Sequence, residues 1–216
     1  MRRMSKVTID AIEIADPPDA WEAAGFTVDD DGTCVTGHVR LRLVGRDDGR
    51  KRILSWSLRE VPEGTESIDG LPTTASDTSF PEPVTHKNGI ELIDHLVISS
   101  PNVDRTIAAL NDAGVPTSRT RQIDAEQYGF AARQTFFRLG EVILELIGPD
   151  EPQGDGPAAF FGLAYTVSDI DALPALYGER LGTIKDAVQP GRRITTLRHK
   201  EFGMSVATAF MSPEPR

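Results

Sequence analysis

Glu145 is the residue whose surroundings most demand a chemical explanation. It interrupts the apolar run Val142-Ile143-Leu144 and Leu146-Ile147. A carboxylate inside such a strand must be paired, protonated or metal-bound. Strand side chains alternate between faces, so Ile143 and Ile147 share its face, which argues against the competing reading of a solvated antiparallel strand. In a cleft, Glu145 is a candidate catalytic group that moves a proton. His95 stands in Leu92-Ile93-Asp94-His95-Leu96-Val97-Ile98, with Ile93 and Val97 on its own face and Asp94, Leu96 and Ile98 on the other. It is either a ligand or acid–base group in a cleft, or a hydrogen-bonded histidine in a packed sheet.

Other polar groups converge on the same region. If Leu139-Gly140 is a two-residue turn, pairing outward matches Arg138 with Glu141, Phe136 with Ile143 and Gln134 with Glu145. Gln134 then shares the cleft with Glu145, whereas a one-residue slip puts Arg133 there instead, and both stay candidates for substrate binding. Arg119, Arg121, Arg133, Arg138, Arg192, Arg193 and Arg198 concentrate in the second and third parts of the chain. Their guanidinium forks suit carboxylate or phosphate on a substrate, Arg121 and Arg133 being placed for it, against the plainer reading of surface pairing.

The elements that must hold these residues come in three similar segments. Each opens with an apolar strand, at Val7–Ile14, Leu92–Ile98 and Phe161–Val167. A short helical stretch follows, closed at Gly25-Phe26, Gly114-Val115 and Gly182-Thr183. In the middle copy Val103, Ile107 and Leu110 fall at helical spacing, Asn102 can cap the start, and Gly114 supplies the left-handed end. Strands follow, the best being Phe130–Leu139 and Glu141–Ile147, and each copy ends at a proline: Pro62, Pro149 or Pro213. Counting back four residues gives Leu58, Glu145 and Ala209, which lie 47, 50 and 47 residues beyond Ala11, His95 and Gly162. We expect modules at 1–64, 90–150 and 157–216, joined by linkers at 65–89, rich in Pro, Thr, Ser and Gly, and at 151–156.

Composition bounds the rest. With 39% hydrophobic and 26% charged residues the chain should fold by itself. A formal charge of -10 disfavours nucleic acid and anionic membrane surfaces as partners. The single cysteine, Cys34, has no internal disulfide partner and suits a reducing compartment. Met1-Arg2-Arg3 precedes a segment broken by Lys6, Asp10 and Glu13 with no seven-residue apolar run, so the expectation is a cytoplasmic protein. Trp21 and Trp56 read as filling the core or contacts between modules. Hydrolase, kinase and dehydrogenase readings find no Gly-x-Ser-x-Gly elbow, P-loop or dinucleotide fingerprint to stand on.

Ile93-Asp94-His95-Leu96-Val97 and Phe137-Arg138-Leu139-Gly140-Glu141-Val142-Ile143-Leu144-Glu145-Leu146 resemble the vicinal oxygen chelate superfamily, which includes glyoxalase I, methylmalonyl-CoA epimerase, extradiol dioxygenases and bleomycin-binding proteins. Ala187-Val188-Gln189-Pro190-Gly191-Arg192-Arg193 is similar to a stretch of glyoxalase-like proteins, and on that footing Gln189 and Arg193 join the substrate-binding candidates. The resemblance implies an α+β fold of βαβββ modules paired into a half-open barrel, here with an extra degenerate N-terminal module. It also implies a divalent metal (Zn, Ni, Mn or Fe) held by a His or Gln on a module's first strand and a Glu on its last. The middle module offers His95 and Glu145; the third offers Gly162 and Ala209 and the first Ala11 and Leu58, none of which coordinates. A spare module would cap a sheet edge or pair across a homodimer interface.

Three functions compete. A metal on His95 and Glu145 would polarise vicinal oxygens of a small oxygenated or anionic substrate for isomerase, epimerase or lyase chemistry. A degenerate cleft would instead bind or sequester a small molecule without turnover, as in bleomycin resistance. A purely structural array is the least attractive.

Overall fold

The computed structural model describes residues 6–46, 49–123 and 131–215. Met1–Arg3 and Arg216, and Phe130 at the start of an expected strand, lie outside the described residues. The elements are β1 (Thr8–Ile14), α1 (Pro18–Ala23), β2 (Thr33–Thr36), β3 (Val39–Leu43), β4 (Ile53–Arg59), β5 (Ser67–Ile68), β6 (Leu71–Ser76), β7 (Ile90–Ser99), α2 (Val103–Asp112), β8 (Thr117–Ile123), β9 (Ala132–Leu139), β10 (Val142–Pro149), β11 (Ala159–Val167), α3 (Leu173–Tyr177), β12 (Lys185–Asp186), β13 (Arg193–Thr196) and β14 (Ala207–Met211). The fold is α+β, dominated by mixed sheet, and neither strand order closes on itself.

The chain divides into two compact units: residues 1–11, 55–79 and 95–161 form the first, and 12–54, 80–94 and 162–216 the second. The boundary passes through β1, β4, β7 and β11. Apart from these four divided strands, unit 1 holds β5, β6, α2, β8, β9 and β10, and unit 2 holds α1, β2, β3, α3, β12, β13 and β14; by pairing, the strands form four runs, β7-β10-β9-β8, β4-β6-β5, β11-β14-β13-β12 and β1-β3-β2. In all four runs the first strand lies beside the last, and the pairs β7/β10, β4/β6 and β11/β14 are parallel. A parallel pair needs a crossover, and α2 and α3 supply it in the two complete βαβββ runs. The run from β1 keeps its helix α1 but has one strand fewer, and the run from β4 has neither helix nor that strand among the described residues.

Two expectations change with this order. The stretch 65–89, expected to be a linker, contains β5 and β6, because two- and six-residue strands carry too little alternation to outweigh a composition of Pro, Thr and Ser. Leu58, expected on the last strand of the N-terminal module, lies on β4, the first strand of its own run.

Local chemistry shapes the helix that backs the site. The Asn102 side chain accepts the Arg105 amide at 3.1 Å, a cap worth about 1 kcal/mol, and Gly114 turns the chain out at φ +85°. Val103, Thr106 and Leu110 are buried, Ile107 only half-buried. Asp69, in the β5–β6 turn, takes Arg105 Nε at 2.6 Å and the Thr106 hydroxyl, tying the short run of unit 1 to α2. In the core of unit 1 Trp56 meets Phe160 edge-on at 5.4 Å between ring centroids.

The interior of unit 2 is filled by rings: Trp21 on Phe26, Phe26 on Tyr165, Tyr165 on Phe210, and Tyr177 stacked on Phe210. Burial of such side chains contributes about 1.5–3 kcal/mol each. His86 also belongs to this packing, its Nδ1 accepting the Thr27 amide at 3.0 Å while Nε2 donates to the Val35 carbonyl at 2.9 Å.

Candidate functional site

The site grows out of the register of β7, β10, β9 and β8. Glu145 pairs with Val97 on the parallel neighbour and with Phe136 on the antiparallel one; Ile143 pairs with His95 and Arg138, and Ile147 with Ser99 and Gln134. Paired residues share a face. His95, Val97, Ser99, Ile143, Glu145 and Ile147 are all half-buried, whereas Leu96, Ile98, Val142, Leu144 and Leu146 beneath them are fully buried. The open face is therefore the one that carries His95 and Glu145, and α2 covers the other.

On the open face His95 Nε2 stands 3.7 Å from Glu145 Oε2, with side-chain exposures of 14% and 15%. Gln134 Nε2 donates to Glu145 Oε1 at 2.5 Å, and Gln134 Oε1 accepts from Arg121 Nε at 2.5 Å. A polar chain thus runs diagonally over four strands, from Arg121 through Gln134 and Glu145 to His95. Gln134 is 5% exposed. Its amide can satisfy both neighbours only in this orientation, because the guanidinium has donors alone and the carboxylate acceptors alone.

His95, Val97, Ser99, Glu145 and Ile147 line a cavity of about 650 Å³, completed by Ser100, Pro101, Gly148, Pro149, Pro157 and Phe161. All eleven belong to unit 1. Phe161, 53% exposed, lies at the rim of this cavity.

The expected substrate-binding residues divide. Gln134 and Arg121 reach the open face. The expected pairing is displaced by two residues: the turn is Gly140-Glu141, with Val142 opposite Leu139, so Gln134 faces Ile147 and reaches Glu145 diagonally. An even displacement preserves the face, which is why Gln134 arrives in the cleft although its partner was misassigned. Arg133 points to the opposite face, toward Asp104 of α2 at 2.9 Å and Asp150 at 3.4 Å, and does not join the site. Arg193, in unit 2, is held by both oxygens of Asp171 at 2.7 and 2.6 Å, and Gln189 gives its backbone carbonyl to the Arg192 amide. No described contact ties either to a polar pocket.

Arg192 is the arginine of that stretch that sequence reasoning passed over. It is 4% exposed and donates to Asp94 Oδ2 at 2.5 Å, where the Thr166 hydroxyl also donates at 3.1 Å. Asp10 makes the matching arrangement in unit 1 with Arg59 at 2.5 Å and the hydroxyls of Ser57 and Ser76. The repeated Ile-Asp pair at positions 9–10 and 93–94 was the available signal. Its aspartates are buried structural anchors, one residue out of phase with the cleft face.

Register also locates the counterparts of His95 and Glu145 in unit 2. Gly162 pairs with Ala207 and Ala209 with Ala164, the same two-residue offset as His95 with Ile143 and Glu145 with Val97. A Cβ at Gly162 would meet the Ala207 carbonyl oxygen at 2.6 Å and its Cβ at 2.9 Å. Even alanine is excluded there without backbone movement.

The donor set decides whether a metal fits. His95 Nε2 and Glu145 Oε2 could face one ion, but Glu145 Oε1 is taken by Gln134, and the Gln134 oxygen is taken by Arg121. Among the described residues no group of three or more His, Cys, Asp or Glu side chains is disposed to hold an ion. Catalytic zinc sites use three protein ligands. The residues present do not fit a resident divalent metal of the expected kind.

No family model and no curated protein sequence matches the chain. Solved structures do. A mutant of 4-hydroxymandelate synthase from Streptomyces coelicolor is 14% identical, with a TM-score of 0.63 over 97% of this chain and 93% of that one. The catechol dioxygenase BphC is 10% identical, with a TM-score of 0.61 over 97% and 87%. The Mn(II)-bound glyoxalase from Novosphingobium aromaticivorans is 15% identical, with a TM-score of 0.60 over 98% and 83%. No helix among the described residues is long and apolar enough to cross a membrane. In strand order, in its βαβββ runs and in these structural neighbours, the chain has the fold of the vicinal oxygen chelate superfamily.

Proposed function

We propose that unit 1 is a small-molecule-binding unit that holds one ligand in the His95–Glu145 cavity. The observation that carries this reading is the distribution of polarity in the cavity. Val97, Ile147, Pro101, Pro149, Pro157 and Phe161 make apolar walls, and the ionisable groups converge at one end, at His95 and Glu145. Such a cavity takes an apolar body and orients it by one polar group. Binding without turnover accounts best for a donor pair that has lost its counterparts at Gly162 and Ala209.

One observation favours a second, catalytic reading. Glu145 Oε2 faces the cavity beside His95 while Oε1 is anchored, so the pair could take a proton from a bound substrate in an isomerase, epimerase or lyase step. A fragment library screened by thermal shift, with and without chelator, separates the readings. Binding predicts stabilisation that is indifferent to chelator and abolished by Val97→Trp, which fills the cavity from its wall. Stabilisation that disappears with chelator would count against it, as would hits that persist in the Val97→Trp variant.

A further inference from the structure

The open face of β7 and β10 continues over β9 and β8 as three rows fixed by register. Arg119, Phe136, Glu145 and Val97 form one; Arg121, Gln134, Ile147 and Ser99 a second; Arg138, Ile143 and His95 a third. Three guanidiniums therefore share a face with His95 and Glu145, in a chain whose formal charge is -10. Two strand spacings, about 10 Å, separate Arg119 from Glu145 and Arg138 from His95 at the backbone.

The three arginines are not equivalent. Arg121 is engaged with Gln134. The Arg119 guanidinium lies over the Phe136 ring at 4.5 Å from its centroid, and Phe136 is only 8% exposed. A buried ring under a guanidinium fixes its plane and leaves the N–H edges directed outward. Arg119 and Arg138 are both exposed, and the only carboxylate in the three rows, Glu145, is already anchored by Gln134. Among the described residues this leaves two forked donors, on β8 and β9, one of them stacked on an aromatic ring. Forks of this kind bind carboxylate and phosphate through two parallel hydrogen bonds.

We propose that Arg119 and Arg138 form the anion-binding pole of the unit 1 cavity, so that the ligand is a small organic carboxylate or phosphate whose uncharged body enters beside His95 and Glu145. The proposal rests on the small-molecule reading of that cavity and adds the ligand's charge and orientation. An acidic ligand placed the other way round would set its anion against Glu145.

The test uses the full chain and three probes: 3-phenylpropanoate, phenyl phosphate and the neutral 3-phenylpropanamide. Affinities are read by ligand-observed NMR and calorimetry at about 50 mM salt, where exposed charges act at longer range. At least one anion should bind about tenfold more tightly than the amide, and whether carboxylate or phosphate is preferred identifies the anion. Arg119→Met with Arg138→Met should bring the anions to the amide's affinity while leaving the amide within about twofold. Arg119→Lys should keep part of the preference, and Arg198→Met, an exposed arginine of unit 2, should keep all of it. Equal affinities for anions and amide in the unaltered protein overturn the proposal, as does a preference that survives the double change, and in both cases the cavity reading stands. Failure of all three probes to bind at about 10 mM overturns both.

Discussion

Replacing Gln134 by leucine tests the geometry on which the site rests. The substitution puts an apolar side chain of similar bulk on β9 and removes the donor to Glu145 Oε1 and the acceptor for Arg121 Nε. A hydrogen bond to a charged group contributes about 1.5–3 kcal/mol. Gln134 is 5% exposed and the Glu145 side chain 15%, so water replaces the lost partner poorly and the middle of that range applies, about 2 kcal/mol. For a chain of this length that is a fall in Tm of roughly 4–8 °C. Urea unfolding of Gln134→Leu, Glu145→Leu and the double variant closes the cycle. The double variant leaves neither group buried without its partner, so it should be about 1–2 kcal/mol more stable than the two single losses added together. Losses that add within about 0.5 kcal/mol would mean that Gln134 and Glu145 do not interact in solution, and the polar chain from Arg121 to His95 would fall with them.

Other expectations follow from the same structure. Asp94→Asn or Arg192→Met alone should destabilise by about 3–5 kcal/mol by leaving a buried charge unpaired, while the double change Asp94→Leu, Arg192→Met should recover most of that loss in chemical denaturation. Burial holds His86 below the usual histidine value, with the Val35 carbonyl pulling weakly the other way, and its Nδ1 accepts a hydrogen bond only while unprotonated. The unfolded chain takes up a proton that the folded chain refuses, so this contribution is present above about pH 6.5 and lost as pH falls through the lower folded value; His86→Gln should flatten the dependence of Tm on pH between about 5 and 7. Gly162→His, which restores an imidazole at the counterpart of His95, should cost about 1–3 kcal/mol through collision with Ala207 and confer no zinc-dependent gain in Tm. Burial pushes the Cys34 thiol up to about 12, so it should react with a thiol reagent no faster than the protein unfolds, and rapid labelling of the native chain would contradict its placement.

How much of this was legible in the sequence depended on the strength of local signals. The strand holding Glu145 announced itself because a charge among five apolar residues is costly, and alternation alone put Ile143 and Ile147 beside it. The cap at Asn102 and the left-handed exit at Gly114 were legible for similar reasons, each answering a backbone requirement of the helix terminus. What failed needed information from across the sheet. Whether the turn was Leu139-Gly140 or Gly140-Glu141 decided the partner of Gln134, and both readings place glycine at a tight turn; only pairing along the whole of β9 and β10 resolves it. Arg133 and Gln134 were equal candidates because one residue of slip exchanges faces. The opposed charges of Asp104 and Asp150 on the helix side settle the matter, and they lie 29 and 17 residues away in sequence. The four-run order was hidden by the brevity of β5 and β6. The proline after β4 was misleading because it follows a first strand, not a last one.

The most direct test of the central claim is a crystallographic fragment soak of the full chain, scored by where electron density for bound fragments falls. Repeated occupancy between Val97, Ile147 and Phe161, with a polar atom within hydrogen-bond distance of His95 or Glu145, is the predicted result. Fragments that collect elsewhere and leave the His95–Glu145 cavity vacant would contradict it.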